Sequence, residues 1–343
     1  MKNKLRNIIL ILGVVSIIAV IYQRQDLAKQ EVVPQQFKLL MPDLRNQFNE
    51  ISKITLQNRD DIVTLSKQEN GKWVVVEQNN YAVNMQELRK MLLYLSQSEL
   101  RDKKTSDPTR FNRLGLDELI GKNIRIFAGE KLLYDVILGS MSSDLSATYV
   151  RIKGDNQTYK ASGELQFHAA PDNWLDFNFI SIDKNLVQKI DYKFNGKKSY
   201  QYVRQNPNKM MQLLPAPDAK LLSQKPTSID PTTYFERLAF TGVTTAKNAN
   251  IKGDITTMTT FDGLQIELEF YEIEFMPWVK ITANIDMDTR NNFAKNHLKT
   301  LPEVETEAAN INEITKNWLY QLGQFQQQNL SRSYLDLTEI KSN

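Results

Sequence analysis

Apolar and polar residues alternate in short runs along two long stretches of the chain. The first stretch, "NEISKITLQNRDDIVTLSKQENGKWVVVEQ", holds three runs, and Asn70-Gly71 between the second and third is a strong hairpin signal. An apolar face at helical spacing follows over residues 85–95, and Asn84 with Glu87 predicts a capping box at its start. Three more strand-like runs then follow, in "NIRIFA", "LLYDVILG" and "ATYVRIKGDNQTYKAS". This stretch predicts the order strands, helix, strands.

The same order returns from residue 185 onward. The stretch "LVQKIDYKFNGKKSYQYVRQNPNKMMQLL" offers three runs, with turn signals at Asn195-Gly196 and Asn206-Pro207. A short helix candidate, "PTTYFERLAF", precedes strand-like runs in "DITTMTTF", "LQIELEFYEIEF" and "PWVKITANI". We interpret the two stretches as an internal duplication of residues 48–165 and 184–285. Chance echoes between two parts of one α+β chain are the alternative.

A stripe of apolar residues near the carboxyl end predicts one amphipathic helix of about six turns, beginning at Pro302. The stripe consists of Val304, Ala308, Ile311, Thr315, Trp318, Leu322 and Phe325. Packing on the second sheet is the first interpretation of this helix, and docking of a partner protein is the alternative. In the second case the candidate contact residues are Ile311, Trp318, Leu322 and Phe325.

The stretch from Ile8 to Tyr22 carries no charge, and three basic residues precede it within the first six positions. At about 1.5 Å per residue it spans roughly 22 Å, short of the ~30 Å hydrocarbon layer unless its flanks join it. A cleaved signal and a buried helix are the alternatives, but no small-residue cleavage site follows Ala19. The pattern therefore favours a single-pass anchor in the cytoplasmic membrane. The positive-inside rule places the amino terminus in the cytoplasm and the bulk of the chain in the periplasm.

These patterns predict an α+β fold. We expect an N-terminal transmembrane helix, two related antiparallel-sheet-plus-helix repeats and the C-terminal amphipathic helix. The predicted divisions are an anchor at 1–24, a linker at 25–44, and repeat domains at 45–180 and 181–343. Hydrophobic residues make up 41% and charged residues 24% of the chain, a composition typical of a globular protein with a buried core.

Charge and composition exclude several classes of function. The 43 basic and 40 acidic residues give a formal charge of +3 without blocks of like charge, so nucleic acid is not an expected partner. The absence of cysteine excludes disulfides, thiolate nucleophiles and zinc ribbons. No nucleotide-binding or HExxH motif occurs, and Asp286 and Asp288 lack the glycine and final glutamate of a calcium loop. We therefore predict neither a cofactor nor a metal site.

Few residues suggest catalysis, and we predict no catalytic residue. His168 lies near Asp172, an arrangement that suggests a general base with an orienting carboxylate, whereas a hydrogen-bonded loop histidine is the alternative. The second histidine, His297, is expected to be exposed. Binding is better supported, because aromatic and guanidinium groups typical of protein and sugar contacts occur close together in the sequence. This candidate binding surface consists of Tyr149, Arg151, Tyr159 and Trp174. Its alternative is sheet aromatics covering the core edge beside a solvated Arg151.

Several short segments, taken in order, resemble one bacterial family. They are "NEISKITL", "GKWVVVEQ", the helix at 85–96, "LGL" at 114–116, "ATYVRI", and "NWLD" at 173–176. The chain resembles the domain of unknown function numbered forty-three forty over roughly residues 45–240. The resemblance implies an α+β domain, usually anchored by one amino-terminal helix, often found beside ABC-type transport components of the gliding-motility auxiliary kind. It implies no reaction and no catalytic residues.

The sequence thus favours a noncatalytic, membrane-anchored periplasmic accessory protein that contacts an ABC-type permease or another envelope protein. One alternative is an anchored enzyme acting on an envelope polymer, which requires a cleft with two carboxylates, Asp172 or Asp176 among them. Another is a binder of envelope polysaccharide or lipid. That alternative predicts an exposed aromatic platform around Trp174 or an apolar groove between the repeats.

Overall fold

The computed structural model describes residues 37–215, 230–246, 249–296, 298–334 and 337. Two antiparallel sheets and a few helices form the fold, which confirms the predicted α+β class. None of the helices in these ranges is both long and apolar enough to cross a membrane. The predicted anchor lies outside the described residues, so it stays a prediction.

The first sheet has ten strands among the residues that the structure describes. They are β1 Lys38–Leu39, β2 Lys53–Gln57, β3 Ile62–Lys67, β4 Trp73–Val75, β5 Tyr81–Ala82, β6 Glu99–Lys103, β7 Lys122–Ala128, β8 Lys131–Met141, β9 Ala147–Ile152 and β10 Thr158–Ser162. Their order across the sheet is β1-β6-β10-β9-β8-β7-β2-β3-β4-β5. The predicted turn at Asn70-Gly71 joins β3 to β4, and Gly71 adopts φ +81°, a conformation that glycine accepts most readily.

The predicted helix of the first repeat is α1, Met85–Gln97. Its buried face consists of Leu88, Met91, Leu92 and Leu95. The Asn84 side chain caps the helix by accepting hydrogen bonds from the backbone N–H groups of Gln86 and Glu87, at 3.0 and 3.4 Å. The backbone N–H of Asn84 donates to the Trp174 carbonyl at 2.7 Å, so the helix start is tied to residue 174 and the predicted capping box is only half formed.

The second sheet has eight strands within the described residues. They are β11 Val187–Lys193, β12 Tyr200–Val203, β13 Gln212–Leu214, β14 Phe240–Thr244, β15 Asn250–Thr260, β16 Leu264–Ile273, β17 Met276–Ile285 and β18 Leu319–Leu322. Their order is β13-β12-β11-β15-β16-β17-β18-β14. The helices of this half are α2 Thr233–Glu236, α3 Met287–Asn292, α4 Leu301–Thr315 and α5 Gln324–Leu330. The helix predicted in "PTTYFERLAF" is thus only one turn long, and its final phenylalanine already belongs to β14.

Eight strands of the first sheet match the eight of the second in both sequence order and spatial order. The series β4-β3-β2-β7-β8-β9-β10-β6 corresponds to β13-β12-β11-β15-β16-β17-β18-β14, and a helix follows the third strand in each half. This shared topology supports the predicted duplication. It also corrects the end of the second copy, which runs to Leu322 and not to residue 285, because α3 and α4 lie between β17 and β18.

The single helix predicted from Pro302 is wrong beyond Thr315. Helix α4 ends there, Leu319–Leu322 form strand β18 between β14 and β17, and α5 begins afterwards at Gln324. Pairing of this segment with two strands overrides its helical spacing, as tertiary contacts commonly override local preference. Four of the stripe residues, Val304, Ala308, Ile311 and Thr315, do form the buried face of α4.

The predicted partner-docking residues therefore do not share one helix face. Ile311 is buried where α4 packs on β17, which is the sheet-packing interpretation, and Leu322 is buried in β18. Trp318 precedes β18 and is partly buried against the core. Phe325 lies on α5 and is 55% exposed, so it is the one exposed member of the four. The four residues therefore do not form the continuous helix surface that the partner-docking alternative requires.

The predicted linker at 25–44 is too long at its carboxyl end. Leu40, Met41 and Leu44 are buried in the core of the first half, and the Leu40 N–H donates to the Ser98 carbonyl at 2.8 Å. Strand β1 pairs with β6 immediately before them. The folded part therefore begins by β1, several residues before the predicted boundary at 45.

The two halves share one continuous hydrophobic core. An aromatic junction joins them and consists of Tyr81, Phe177, Phe179, Phe240, Trp318 and Tyr320. The rings of Tyr81 and Trp318 meet edge to face at 5.2 Å, and the Tyr81 and Tyr320 hydroxyl oxygens lie 3.3 Å apart. The Tyr81 hydroxyl also donates to the Asp176 carbonyl at 3.0 Å. The β5 edge of the first sheet thus packs against β18 of the second.

Candidate binding groove

Two adjoining cavities lie between α1 and residues 162–174, with volumes of about 240 and 390 Å³. Tyr94 and Glu164 line both cavities and so connect them. We call this continuous depression the α1 groove. Helix α1 forms one wall, and the irregular chain after β10 forms the other.

The helical wall is the side of α1 that the core does not use. Because its apolar stripe packs inward, Glu87, Lys90 and Tyr94 remain at the surface, with the Tyr94 residue 42% exposed. Glu87 and Lys90 form an exposed ion pair with 3.6 Å between carboxylate oxygen and ammonium nitrogen. Such a pair contributes little to stability, so both side chains are available to a ligand.

The opposite wall is a segment outside any helix or strand that is nevertheless held in place by hydrogen bonds. The Leu165 N–H donates to the Thr148 hydroxyl at 2.9 Å, and the Lys122 ammonium donates to the Phe167 carbonyl. Burial lowers the pKa of Lys122. The backbone N–H groups of Gln166 and His168 have no hydrogen-bond partner within the described ranges. This wall therefore presents unpaired backbone donors in a fixed position.

Trp174 forms part of the groove lining as a buried residue, only 3% exposed. Its indole Nε1–H donates to the His168 carbonyl at 2.8 Å, which fixes the end of the opposite wall. The exposed aromatic platform predicted around Trp174 is therefore wrong. The aromatic side chain that does reach the surface here is Tyr94.

The suggested general-base pair is not formed. The Asp172 carboxylate accepts a hydrogen bond from the Gln78 side-chain amide at 2.6 Å, and no hydrogen bond joins it to His168 in the described structure. Burial raises the pKa of Asp172. Asp176 accepts a bond from the Asn178 backbone N–H at 3.1 Å and lies at the aromatic junction. Neither carboxylate belongs to the groove lining, where Glu87 and Glu164 stand instead.

The predicted surface of Tyr149, Arg151, Tyr159 and Trp174 is divided between two faces of the first sheet. Tyr159 pairs with Val150 across β9 and β10, and cross-strand partners lie on the same face. Val150 belongs to the main core, and Tyr159 packs against that core. Tyr149, the neighbour of Val150, packs on the other face against a small cluster around Phe111.

Arg151 is neither exposed nor a solvated neighbour. The residue is 7% exposed, and its guanidinium carbon lies 4.6 Å from the centre of the Phe111 ring. Its Nη1 donates to the Asp155 carbonyl at 3.4 Å. This cation–π contact stabilises the small apolar cluster around Phe111 on the outer face of the sheet.

Asp286 caps helix α3 and does not form a calcium loop. Its carboxylate accepts hydrogen bonds from the Thr289 backbone N–H and hydroxyl, at 2.9 and 2.8 Å. In the ranges that the structure covers, no three His, Cys, Asp or Glu side chains are grouped as metal ligands. His297 lies outside the described residues.

The sequence did not identify the three main residues of the groove, which are Glu87, Tyr94 and Glu164. Glu87 was predicted only as part of the helix cap. Tyr94 offered a signal, because it lies off the apolar stripe of a well-patterned helix and is still aromatic. Glu164 offered none, since a single acid in an irregular segment carries no spacing information. The groove combines carboxylates, an ammonium group and aromatic surface, which suits noncovalent binding.

Comparisons with known proteins give one match. No curated protein and no solved structure was found to match the chain. A family model does match, over residues 73–252, which overlaps most of the region in which the sequence resembles the expected family. Because this match covers more than half of the chain, the protein belongs to the family described as Domain of unknown function (DUF4340).

Proposed function

We propose that this protein is a noncatalytic, membrane-anchored accessory protein that works in the periplasm and binds an ABC-type permease or another envelope protein. The observation that carries the proposal is the α1 groove, which presents aromatic surface, charged side chains and unpaired backbone donors. The apolar stretch from Ile8 to Tyr22 supports the anchor. The transport association of similar family members supports the class of partner.

The contacts of the polar residues favour binding over turnover. Among the described residues no hydrogen bond joins His168 to Asp172, whose carboxylate instead accepts from the Gln78 side-chain amide. General acid–base catalysis needs such groups to converge on one reacting atom. In the α1 groove the side chains instead line two walls, as they do in sites that hold an extended ligand.

Membrane anchoring makes a modest interface sufficient. Two proteins confined to one membrane meet at a high effective concentration, so binding through a small groove occurs without high intrinsic affinity. The two groove cavities are lined by 15 residues together, fewer than the roughly 20–30 that each partner contributes to a standard protein interface, which fits a weak contact that the anchor reinforces.

A pull-down from native membranes tests the proposal. The tagged full-length chain is solubilised in mild detergent beside a copy that lacks residues 1–24 and carries a cleavable export signal. We expect permease and ATPase subunits with the full-length chain, and weaker retention of them by the truncated copy. Absence of any membrane protein from both samples would contradict the accessory role.

Tyr94 favours a second candidate, a binder of envelope polysaccharide or lipid. An exposed tyrosine that lines the same cavity as the Glu87 and Glu164 carboxylates also suits sugar stacking and hydroxyl hydrogen bonds. Co-sedimentation with purified envelope glycans and with lipid vesicles distinguishes this candidate. It requires binding that the Tyr94→Ala change abolishes and that needs no protein partner.

A further inference from the structure

The α1 groove lies beside the point at which the chain enters its first domain. Ser98 lines the larger cavity, and its carbonyl accepts the hydrogen bond from the Leu40 N–H at 2.8 Å. Leu39 pairs directly with Glu99, the next residue along. The entering strand β1 and the groove are therefore immediate neighbours.

The length of the preceding chain limits how far this entry point lies from the proposed anchor. Only residues 23–36 separate Tyr22 from the first described residue, Phe37. A chain reaches at most about 3.5 Å per residue, so these residues span roughly 50 Å at full extension. If the anchor is in the membrane, the groove stays within that distance of the bilayer.

The opposite wall has backbone N–H groups that could pair with an added strand. Leu165 directs its N–H toward Thr148, and the Phe167 carbonyl accepts a bond from Lys122, so both residues bond inward. Gln166 lies between these two residues and His168 follows them. The N–H groups of Gln166 and His168 have no partner among the described residues, so they are available to an added strand.

The charged side chains of the groove select the occupant. Glu164 is exposed, lines both cavities and has no ion-pair partner among the described residues. Glu87 is the second acid and is only partly neutralised by exposed Lys90 at 3.6 Å. An incoming Lys or Arg side chain complements Glu164, and an apolar neighbour in the same peptide covers Tyr94.

We infer that the α1 groove binds an extended, basic periplasmic segment of an integral membrane protein, paired along Gln166 and His168 with a cationic side chain at Glu164. This inference rests on the proposed function, because the anchor places the groove near the bilayer. It adds the binding site, the conformation of the bound segment and its charge.

Site-specific photocrosslinking in native membranes tests the inference. A benzophenone amino acid replaces Tyr94 in the full-length chain, and a control carries it at Phe275, which is 92% exposed in the turn between β16 and β17. At position 94 we expect crosslinked peptides from a basic periplasmic segment of an integral membrane protein, at least tenfold above position 275. Crosslinks at position 94 only to lipid, to glycan or to a second copy of this chain would overturn it.

The pull-down run in parallel separates the two levels of the proposal. If permease subunits are recovered but position 94 gives no crosslink to them, the groove assignment is wrong and the accessory function stands. If the pull-down recovers no membrane protein, the accessory function itself fails. The two failures therefore give different results.

Charge reversal gives a second, independent readout. Glu164→Lys places a cation in the groove, whereas Glu130→Lys makes the same change at an exposed residue between β7 and β8. We expect Glu164→Lys to lower recovery of the membrane partner roughly tenfold, equivalent to loss of one favourable charge contact. Equal recovery with the two variants would contradict a role for Glu164.

Discussion

The two sheets share eight strands in one order but differ at both ends. In the first sheet, β1 covers β6 and β5 covers β4, so the eight shared strands become ten. In the second sheet, the matching strands β14 and β13 are the outermost strands within the described residues. Terminal strands leave backbone groups unpaired, so this difference decides which edges are open. The eight shared strands form the body of each sheet. The added strands β1 and β5 determine which strand edges the first half exposes to a partner.

The helices differ as much as the edges. The helix after the third strand has 13 residues in the first half and only 4 in the second. The second half is covered instead by α4, inserted between β17 and β18, which packs on β17. The four-residue α2, which takes the place of α1 in the second half, is too short to bury one face and leave a second face beside a groove. The groove is therefore a property of the first copy and not of the repeat.

The largest effect is expected where the two halves meet. Tyr320→Ala removes a fully buried ring that contacts Tyr81, Phe179 and Phe240. Truncation of a large buried aromatic leaves a cavity and costs about 4 kcal/mol in the free energy of unfolding. Urea unfolding of the full-length protein in mild detergent, followed by tryptophan fluorescence, measures the loss.

A matched control for this change is Tyr94→Ala, at a tyrosine that is 42% exposed. We expect that variant to lose no more than about 0.5 kcal/mol, as is usual for surface substitutions. Equal losses at positions 94 and 320 would mean that the aromatic junction does not hold the halves together.

The next effect tests the strand that only the first sheet adds. Met41 follows β1 and is fully buried in the first core. Met41→Ala therefore costs about 3 kcal/mol, whereas Leu39→Ala, at a residue 39% exposed, should change stability little. Chemical denaturation of both variants measures the difference. If Met41→Ala were as mild as Leu39→Ala, the entering segment would not belong to the folded domain.

The sequence allowed much of the sheet plan to be predicted, because alternation of apolar residues is a local signal. Both hairpin turns with Asn-Gly, at 70–71 and 195–196, and the helix beginning at Met85 are confirmed. The family assignment is confirmed as well. These features depend on spacing and turn chemistry within about ten residues, which a single sequence displays.

The failures occurred where distant parts of the chain decide the structure. Leu319–Leu322 continue a helical stripe in the sequence, yet they form a strand because β14 and β17 lie beside them. Trp174 was assigned to a candidate binding surface from its place in the sequence. In the structure it is buried, and its indole N–H donates to the His168 carbonyl. The groove could not be predicted, since its walls come from segments about 70 residues apart that only the fold brings together.

A smaller effect is expected from Asn312, which compensates for the shortness of β18. The Asn312 side chain donates to the Ala283 carbonyl at 2.7 Å and accepts from the Ala283 N–H at 2.8 Å, as a neighbouring strand would. Asn312→Ala leaves both backbone groups unpaired and costs about 2 kcal/mol. Asn310→Ala, at an exposed position of the same helix, is the control. Equal stabilities in urea for these two variants would show that α4 does not complete the edge of β17.

The smallest effect at neutral pH is expected from Tyr320→Phe, which keeps the ring. The Tyr81 hydroxyl retains its bond to the Asp176 carbonyl at 3.0 Å, so the loss should stay below about 1 kcal/mol. Burial raises the pKa of Tyr81 and of Tyr320 above that of an unfolded tyrosine. The stability from the neutral hydroxyls is therefore complete below about pH 10 and is lost as pH rises toward the folded-state pKa.

Removal of one of these groups should make that alkaline decline less steep, by up to about 1.4 kcal/mol per pH unit. The free energy of unfolding is measured between pH 8 and 11 for the unmodified protein and for Tyr320→Phe, with Tyr94→Phe as control. We expect the Tyr320→Phe curve to approach or cross that of the unmodified protein at the alkaline end. Parallel curves would mean that the Tyr320 hydroxyl titrates alike in the folded and unfolded chains, which would contradict a dry contact between the two sheets.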